Sequence, residues 1–469
     1  MVVLSKMTDV GANTLGPFDA IDCTCYEMCH TWNSSCMGTY VDTFHKAFVY
    51  AFKVYAPLYL LNALWKLQKK RTDKKRLARN TILQTLRSTL FLTMNGTWVL
   101  MVVCAYGKIF GKFHGVSGFI VGLISSFLSI IIERKSRRGL LAIYITNLAL
   151  EILFKMSVSR GYVTPINRGE IYLFALSNVA YMSYFRGSNL PSYLQSVFEK
   201  VLGNDETKTY KIREEREHSS VAGNKLIFSL KKMCSYLLNN LNSIGSRPPS
   251  CCHGDSCVAY SARAAIKYFS IGYGIQVLMN YRRIFQALLR SNLSLLGKSF
   301  SDFRLAKFFC AYVTVFRAIN CLLRRAVGQD NPEFFGGIAG FFSGFSALFY
   351  PSTTLSLYAV TKLLDIFCMK AVATKRLPFF PNFDVFMYSL SMGIVYHASI
   401  FEPHNIRPSY WSFMKGLSGY KFPLLFRKLL DRFGTEATKM YPNFVPDLDP
   451  KYVITPEVQQ VLASHGKWP

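Results

Sequence analysis

The chain has 469 residues, 51% of them hydrophobic, and a formal net charge of +28. Its apolar residues gather into runs of about 18 to 22, the length that spans a bilayer as helix, which excludes a soluble bundle with polar stripes along its helices. The basic residues cluster at the ends of these runs, so the charge follows the membrane-flanking pattern; no nucleic-acid-binding motif is present.

In chain order, residues 1–43 form a polar head with Cys23, Cys25, Cys29, His30 and Cys36. The head has no continuous apolar core of a secretory signal, so insertion is expected to use internal segments. A first apolar segment, 44–65, is interrupted by Lys53 and Pro57, and a basic loop follows at 66–79. Further segments are expected at 82–106, 116–132, 139–159 and 169–186, with an amphipathic stretch ending near Leu202; together 44–202 make a first membrane repeat. A polar linker, 203–261, carries Cys251, Cys252, His253 and Cys257. The second repeat, 262–406, holds segments at 263–281, 303–323, 333–350, 352–374 and 383–402, and 407–469 reads as an amphipathic, soluble-looking tail.

The two halves share anchors at one offset. Tyr144 and Tyr358, Glu151 and Asp365, Glu170 and Asp384, and Lys53 and Lys267 are each 214 residues apart, and Pro191 and Pro408 are 217 apart. Recurrence at one spacing reads as an internal duplication. The expected fold is therefore all-α: a polytopic membrane protein of two homologous repeats, each with four to five transmembrane helices. Five spans per half would invert the repeats, which suits the basic Glu133–Arg138 turn against its uncharged counterpart Tyr350–Thr354; the cluster Arg282, Arg283 and Arg290 argues for four parallel spans instead.

Several residues can carry chemistry. Thiols and imidazoles at the head of each half, namely Cys23, Cys25, Cys29, His30, Cys36, Cys251, Cys252, His253 and Cys257, can hold zinc or pair as disulfides, or be structural thiols only. If the two clusters meet, they offer more than one full ligand set. Glu151 and Asp365 sit deep in apolar segments, where acids are costly and mark pathways, with Arg317 as a partner for Asp365 across helices. Lys155 and Lys362 offer each acid a plain pair within its own helix. Gly118, Gly122, Gly336, Gly340 and Gly344 form the small-xxx-small pattern of closely packed membrane helices, inside one chain or at a lateral dimer surface. Arg134, Lys135, Arg137 and Arg138, together with the basic loop 66–79, are the expected cytosolic basic contact for anionic lipid. No nucleophile elbow, zinc-protease motif or phosphate loop is present, so no enzyme activity, catalytic residue or organic cofactor is expected.

Cys25-Tyr26-Glu27 with His30-Thr31-Trp32, Lys53–Leu60 (KVYAPLYL), Glu133–Tyr144 (ERKSRRGLLAIY), Tyr350–Tyr358 (YPSTTLSLY), Arg407–Trp411 (RPSYW) and Phe433–Lys439 (FGTEATK) run nearly end to end. On these stretches the chain resembles the transmembrane protein 135 family, also called a peroxisomal membrane protein family. Its glycine-rich second half is also similar to the four-helix units of the mitochondrial inner-membrane protein-translocase channel family. The resemblance implies a multi-pass protein of peroxisomal and mitochondrial membranes. It further implies a role in mitochondrial fission–fusion balance, peroxisome organisation and lipid metabolism, with no catalytic residues to carry over. Two mechanisms follow: a scaffold that binds anionic lipid and recruits organelle-fission machinery, as a monomer or homo-oligomer, or a lipid or solute conduit lined by Glu151, Asp365 and Arg317.

Overall fold

The computed structural model describes residues 15–67, 73–203, 206–207, 248–289 and 293–468. Residues 68–72 of the basic loop, Arg290 and most of the polar linker lie outside them. The helices in chain order are α1 (Cys25–Met28), α2 (Cys36–Leu67), α3 (Lys74–Phe110), α4 (Ser117–Ile130), α5 (Lys135–Ser159), α6 (Gly169–Arg186), α7 (Ser192–Leu202), α8 (Cys257–Met279), α9 (Tyr281–Leu289), α10 (Leu293–Phe300), α11 (Arg304–Val327), α12 (Pro332–Gly344), α13 (Thr353–Ala373), α14 (Phe383–Phe401), α15 (Pro408–Leu417), α16 (Arg427–Leu430) and α17 (Pro456–Ala463). One small antiparallel pair, β1 (Ala20–Asp22) on β2 (Lys112–His114), interrupts the otherwise helical fold.

Local chemistry sets the boundaries. Thr24 and Glu27 form a reciprocal capping box at α1. Asp73 caps α3, which ends at Gly111 in the left-handed region (φ 65°). Ser256 caps α8 and Ser352 caps α13 through their hydroxyls, and Asn331 before Pro332 starts α12. Four stretches among the described residues are long and apolar enough to cross a membrane: Cys36–Leu67, Lys74–Phe110, Lys135–Ser159 and Ser294–Val327. The glycine segments depart from expectation. They form helices of only 14 and 13 residues, about 20 Å long at 1.5 Å per residue and short of a ~30 Å hydrocarbon core. In the second of them the helix tightens into a 3-10 turn at Phe345–Leu348 before Pro351, which removes the length that the apolar run suggests.

The chain folds into two compact units that cut across the two sequence halves. The first takes Met1–Thr164 and Phe380–Pro469. In it α2 packs along α3, α3 along α4, and α14 packs on both α4 and α5, while α15 closes over α2 and α3. A buried polar bridge ties three of these helices: Asn95 Nδ2 donates to Ser129 Oγ (2.9 Å) and Tyr388 Oη (3.0 Å), and Tyr396 Oη donates to the Asn95 carbonyl (2.7 Å).

The second unit is Pro165–Phe379. Here α8 packs along α11, α11 along α12, and α6 packs on both α12 and α13. Its core is aromatic, with Phe174, Phe185, Phe308, Tyr312 and Phe316 buried together. Tyr312 Oη donates to Asn178 Oδ1 (2.7 Å), joining α11 to α6 as Asn95 joins α3 to α14.

Each unit is closed by helix contacts that only glycine permits. A Cβ added at Gly122 would stand 2.7 Å from Tyr396 Cβ and 3.1 Å from Gly393 Cα, and one at Gly118 3.2 Å from His397 Cα. In the second unit, a Cβ at Gly336 would lie 2.5 Å from the Met182 carbonyl oxygen, one at Gly340 would fall on the Asn178 carbonyl, and one at Gly344 on Ala175 Cα. The glycine faces are thus consumed inside the units and leave no lateral dimer surface of that kind.

Candidate metal centres

Three head residues and one distant helix residue converge in each unit. In the first, Cys25 opens α1, His30 follows it, Cys36 opens α2 and Cys104 lies near the end of α3. In the second, Cys251 and His253 precede α8, Cys257 opens it, and Cys321 lies near the end of α11. In each set the four ligand atoms all lie within 4.8 Å of one another. The helical hairpin does the assembling: α3 and α11 return along α2 and α8 and bring a thiol back to the head.

The spacing is that of a metal shell. Cys25 Sγ is 3.5 Å from Cys36 Sγ, and Cys36 Sγ is 3.5 Å from His30 Nε2. Cys251 Sγ is 3.8 Å from Cys257 Sγ, with His253 Nε2 3.2 Å from Cys321 Sγ and 3.6 Å from Cys257 Sγ. Two sulfurs at about 2.3 Å from one tetrahedral ion would stand about 3.8 Å apart. A disulfide needs about 2.05 Å, so neither thiol pair is one. Both imidazoles are oriented alike. His30 Nδ1 lies 2.8 Å from the Asn33 carbonyl, and His253 Nδ1 2.9 Å from the Asp255 carbonyl. A backbone carbonyl takes the Nδ1 proton, which leaves Nε2 facing the sulfurs as a ligand lone pair.

Each group contains one thiol that is made more acidic than usual. The Cys104 thiol pulls the hydrogen-bonded Cys25 thiol down to about 4 against its burial, with His30 adding to the effect. Cys321 does the same to Cys251, again to about 4. Burial would lower His30, but its hydrogen bond to Cys25 wins and raises it. Metal binding at such a group displaces the thiol protons that remain.

The other expected cysteines stand outside these groups. Cys23 is buried 3.9 Å from Met28 Sδ, and burial pushes it and the fully buried Cys29 up; neither joins the group of Cys25. Cys252 lines a separate polar cleft of about 820 Å³ with Arg186, Glu206, Asp330 and Glu333. Each group is complete inside its own unit, so the two head clusters do not pool ligands. Cys104 and Cys321 were missing from the sequence reading. A usable signal exists: they are 217 residues apart, the offset of Pro191 and Pro408.

The remaining candidates are placed as follows. Glu151 is buried in α5 and paired with Lys155 Nζ (2.8 Å) and with Arg407, which the sequence reading missed. Asp365 pairs with Lys362 Nζ (2.6 Å) inside α13. Arg317 does not reach Asp365: its guanidinium donates to the Leu202 carbonyl (2.8 and 3.0 Å) and lies 4.2 Å over the Tyr260 ring. The basic turn is corrected too. Helix α5 begins at Lys135, and Arg137 turns inward to Tyr59 Oη (2.6 Å), Ser88 Oγ (2.5 Å) and the buried Glu133 (3.2 Å). Arg138 donates to the Glu133 and Ile131 carbonyls (3.1 and 2.7 Å) and is 8% exposed, so of the four only Lys135 remains an exposed cation. The buried Glu133 carboxylate holds Arg137, while backbone carbonyls at Ile131 and Glu133 hold Arg138.

Residues 22–158, which hold the whole first ligand set, match the family model of the N-terminal cysteine-rich region of Transmembrane protein 135. No solved structure matches the chain. Over residues 22–158 the chain is thus similar to the cysteine-rich region of the Transmembrane protein 135 family, and four of its described stretches are long and apolar enough to cross a membrane.

Proposed function

We propose that the chain is a scaffold of peroxisomal and mitochondrial membranes, acting on mitochondrial fission–fusion balance and peroxisome organisation with a link to lipid metabolism. Organelle and process rest on the resemblance that runs from Cys25 to Lys439. One observation favours the scaffold over a conduit: Glu151 and Asp365 are each closed by cations, and Arg317 is spent on a carbonyl and a ring. A conduit needs intramembrane charges that face a path. The anionic-lipid contact moves to the first turns of α3, where Lys74, Lys75, Arg76 and Arg79 are exposed beside Asp73. In the same reading zinc is the ion of both Cys/His groups, since three soft thiolates and one imidazole at tetrahedral spacing suit it. Two homologous halves that have exchanged their last helices account for the shared plan: the Gly122–Tyr396 contact becomes Gly336–Met182 when both positions shift by 214.

The test is flux together with morphology. Vesicles reconstituted with the full chain are expected to pass lipid and small anions no faster than empty vesicles. In cells lacking the protein, the variant with Lys74, Lys75, Arg76 and Arg79 changed to glutamate is expected to leave organelle morphology unrepaired. Flux above the empty control that disappears in Glu151→Gln with Asp365→Asn would overturn the scaffold, as would full repair by the charge-reversed chain.

A further inference from the structure

The loop between the first and third ligands of the first centre has a second job. It is the floor on which the C-terminal segment rests. Met28 accepts from the Phe426 backbone N–H (3.0 Å) and Thr31 Oγ1 donates to the Leu424 carbonyl (2.7 Å). Tyr26 Oη accepts from Asp449 N–H (3.0 Å), and its ring meets Tyr452 edge-on at 6.1 Å. Lys421 lies over the Trp32 ring at 5.2 Å. Glu27, fully buried, takes four hydrogen bonds through its carboxylate: Thr24 N–H (2.6 Å), Ile454 N–H (2.9 Å), Thr455 N–H (3.0 Å) and the Thr455 hydroxyl (2.8 Å). Tyr26, Glu27, Met28, Thr31 and Trp32 all fall between Cys25 and Cys36.

The Cys25–Cys36 loop is short and largely irregular. One four-residue helix is its only regular element, and six of the hydrogen bonds it makes run to the tail. Ordering such a segment costs conformational entropy at every residue, which its buried contacts and any bound ion must offset together. Three of its residues point ligand atoms inward at Cys104, which α3 holds rigidly. An ion there fixes both ends and the middle of the loop to the α2–α3 hairpin. The second centre shares the ligand order and the imidazole orientation but not the cargo. Its loop runs only from Cys251 to Cys257, and next to it His253 stacks on Tyr260 (4.3 Å, 8°), whose hydroxyl donates to Glu206 (3.1 Å).

Resting on the zinc reading, we propose that each unit binds one zinc ion through three thiolates and one imidazole, and that the first ion is the clasp that keeps residues 421–455 docked on the head. The first set is Cys25, His30, Cys36 and Cys104; the second is Cys251, His253, Cys257 and Cys321. Binding releases the thiol protons that remain and oxidises nothing, so no redox partner is required. The second ion ties α8 to α11 and leaves the tail alone.

The experiment uses the full chain in detergent or nanodiscs and reads two quantities on each sample: zinc per chain by elemental analysis, and the rate of tryptic cleavage within 421–455. The wild type is expected to carry two zinc ions and a protected tail. Cys104→Ser is expected to carry one, with cleavage at least tenfold faster. Cys321→Ser is expected to carry one, with the tail still protected. His30→Cys keeps a four-ligand set and should keep both ions and the protection. Should Cys104→Ser not fold, zinc chelation of the wild type followed by the same cleavage assay serves in its place. A tail that stays protected after the first ion is lost overturns the clasp while leaving zinc in place. A folded wild type that binds no zinc on titration overturns the zinc reading itself.

Discussion

Arg324→Met is expected to destabilise the second unit by about 3–5 kcal/mol, the cost of removing one partner from a buried ion network. Arg324 and Glu206 are each 1% exposed at the side chain and lie 3.1 Å apart. Asp330 Oδ2 is shared between Arg324 (3.2 Å) and Arg186 (2.7 Å), and Arg186 also donates to Asn320 Oδ1 (2.8 Å). Without Arg324, Glu206 keeps, among the described residues, the Tyr260 hydroxyl and Arg186 at 4.0 Å, too little for a carboxylate that is 1% exposed at its side chain. Thermal unfolding of the purified chain measures the loss. Adding Glu206→Leu is expected to restore much of it, because the stranded charge is then gone. A single-variant cost under about 1 kcal/mol would mean that water reaches Glu206 and that the network is not closed.

Gly340→Ala and Gly337→Ala are expected to move stability in opposite directions, although they are three residues apart on α12. A Cβ at Gly340 falls on the Asn178 carbonyl and 2.7 Å from Met182 Cβ, so α12 must back away from α6. Overpacking of this kind costs about 1–3 kcal/mol, and a backbone carbonyl cannot rotate aside as a side chain can. At Gly337 the nearest atom is Val179 Cγ1 at 3.5 Å, an ordinary contact. There alanine is expected to be neutral or to stabilise by up to about 1 kcal/mol through helix propensity. Equal losses at both sites would place α12 against α6 through a different face.

Much of this was legible before any coordinates. Apolar runs and their flanking charge mark a polytopic membrane protein, and the spacing of Gly336, Gly340 and Gly344 marks the close helix face. The local pairs Glu151 with Lys155 and Asp365 with Lys362 are three or four residues apart and need no tertiary knowledge. Six of the eight candidate ligands sit in short clusters that read as cysteine and histidine sites.

What escaped the sequence depends on chain return or burial. Cys104 lies 68 residues after Cys36, and Cys321 lies 64 after Cys257, each inside an apolar helix where a lone cysteine reads as core. Only the hairpin geometry brings them to the candidate sites. Arg407 reaches Glu151 across 256 residues. Arg137 and Arg138 look like a solvated turn because composition does not reveal that Glu133 is buried. The short glycine helices look like full spans because hydropathy counts apolar residues and does not sense where the backbone turns. The compact units escape as well, since α14 packs in the first and α6 in the second, and a duplication read from offsets leaves open which copy of a helix fills which slot.

The central claim is that each unit holds one zinc ion in a three-sulfur, one-nitrogen shell. The zinc K-edge absorption spectrum of the purified full chain tests it most directly. The expected result is an average shell of three sulfurs at about 2.3 Å and one nitrogen at about 2.0–2.1 Å, unchanged in shape when Cys321→Ser halves the zinc content. A shell dominated by oxygen and nitrogen would contradict the assignment of both centres. So would a sulfur-rich shell that survives at full zinc content in Cys104→Ser combined with Cys321→Ser.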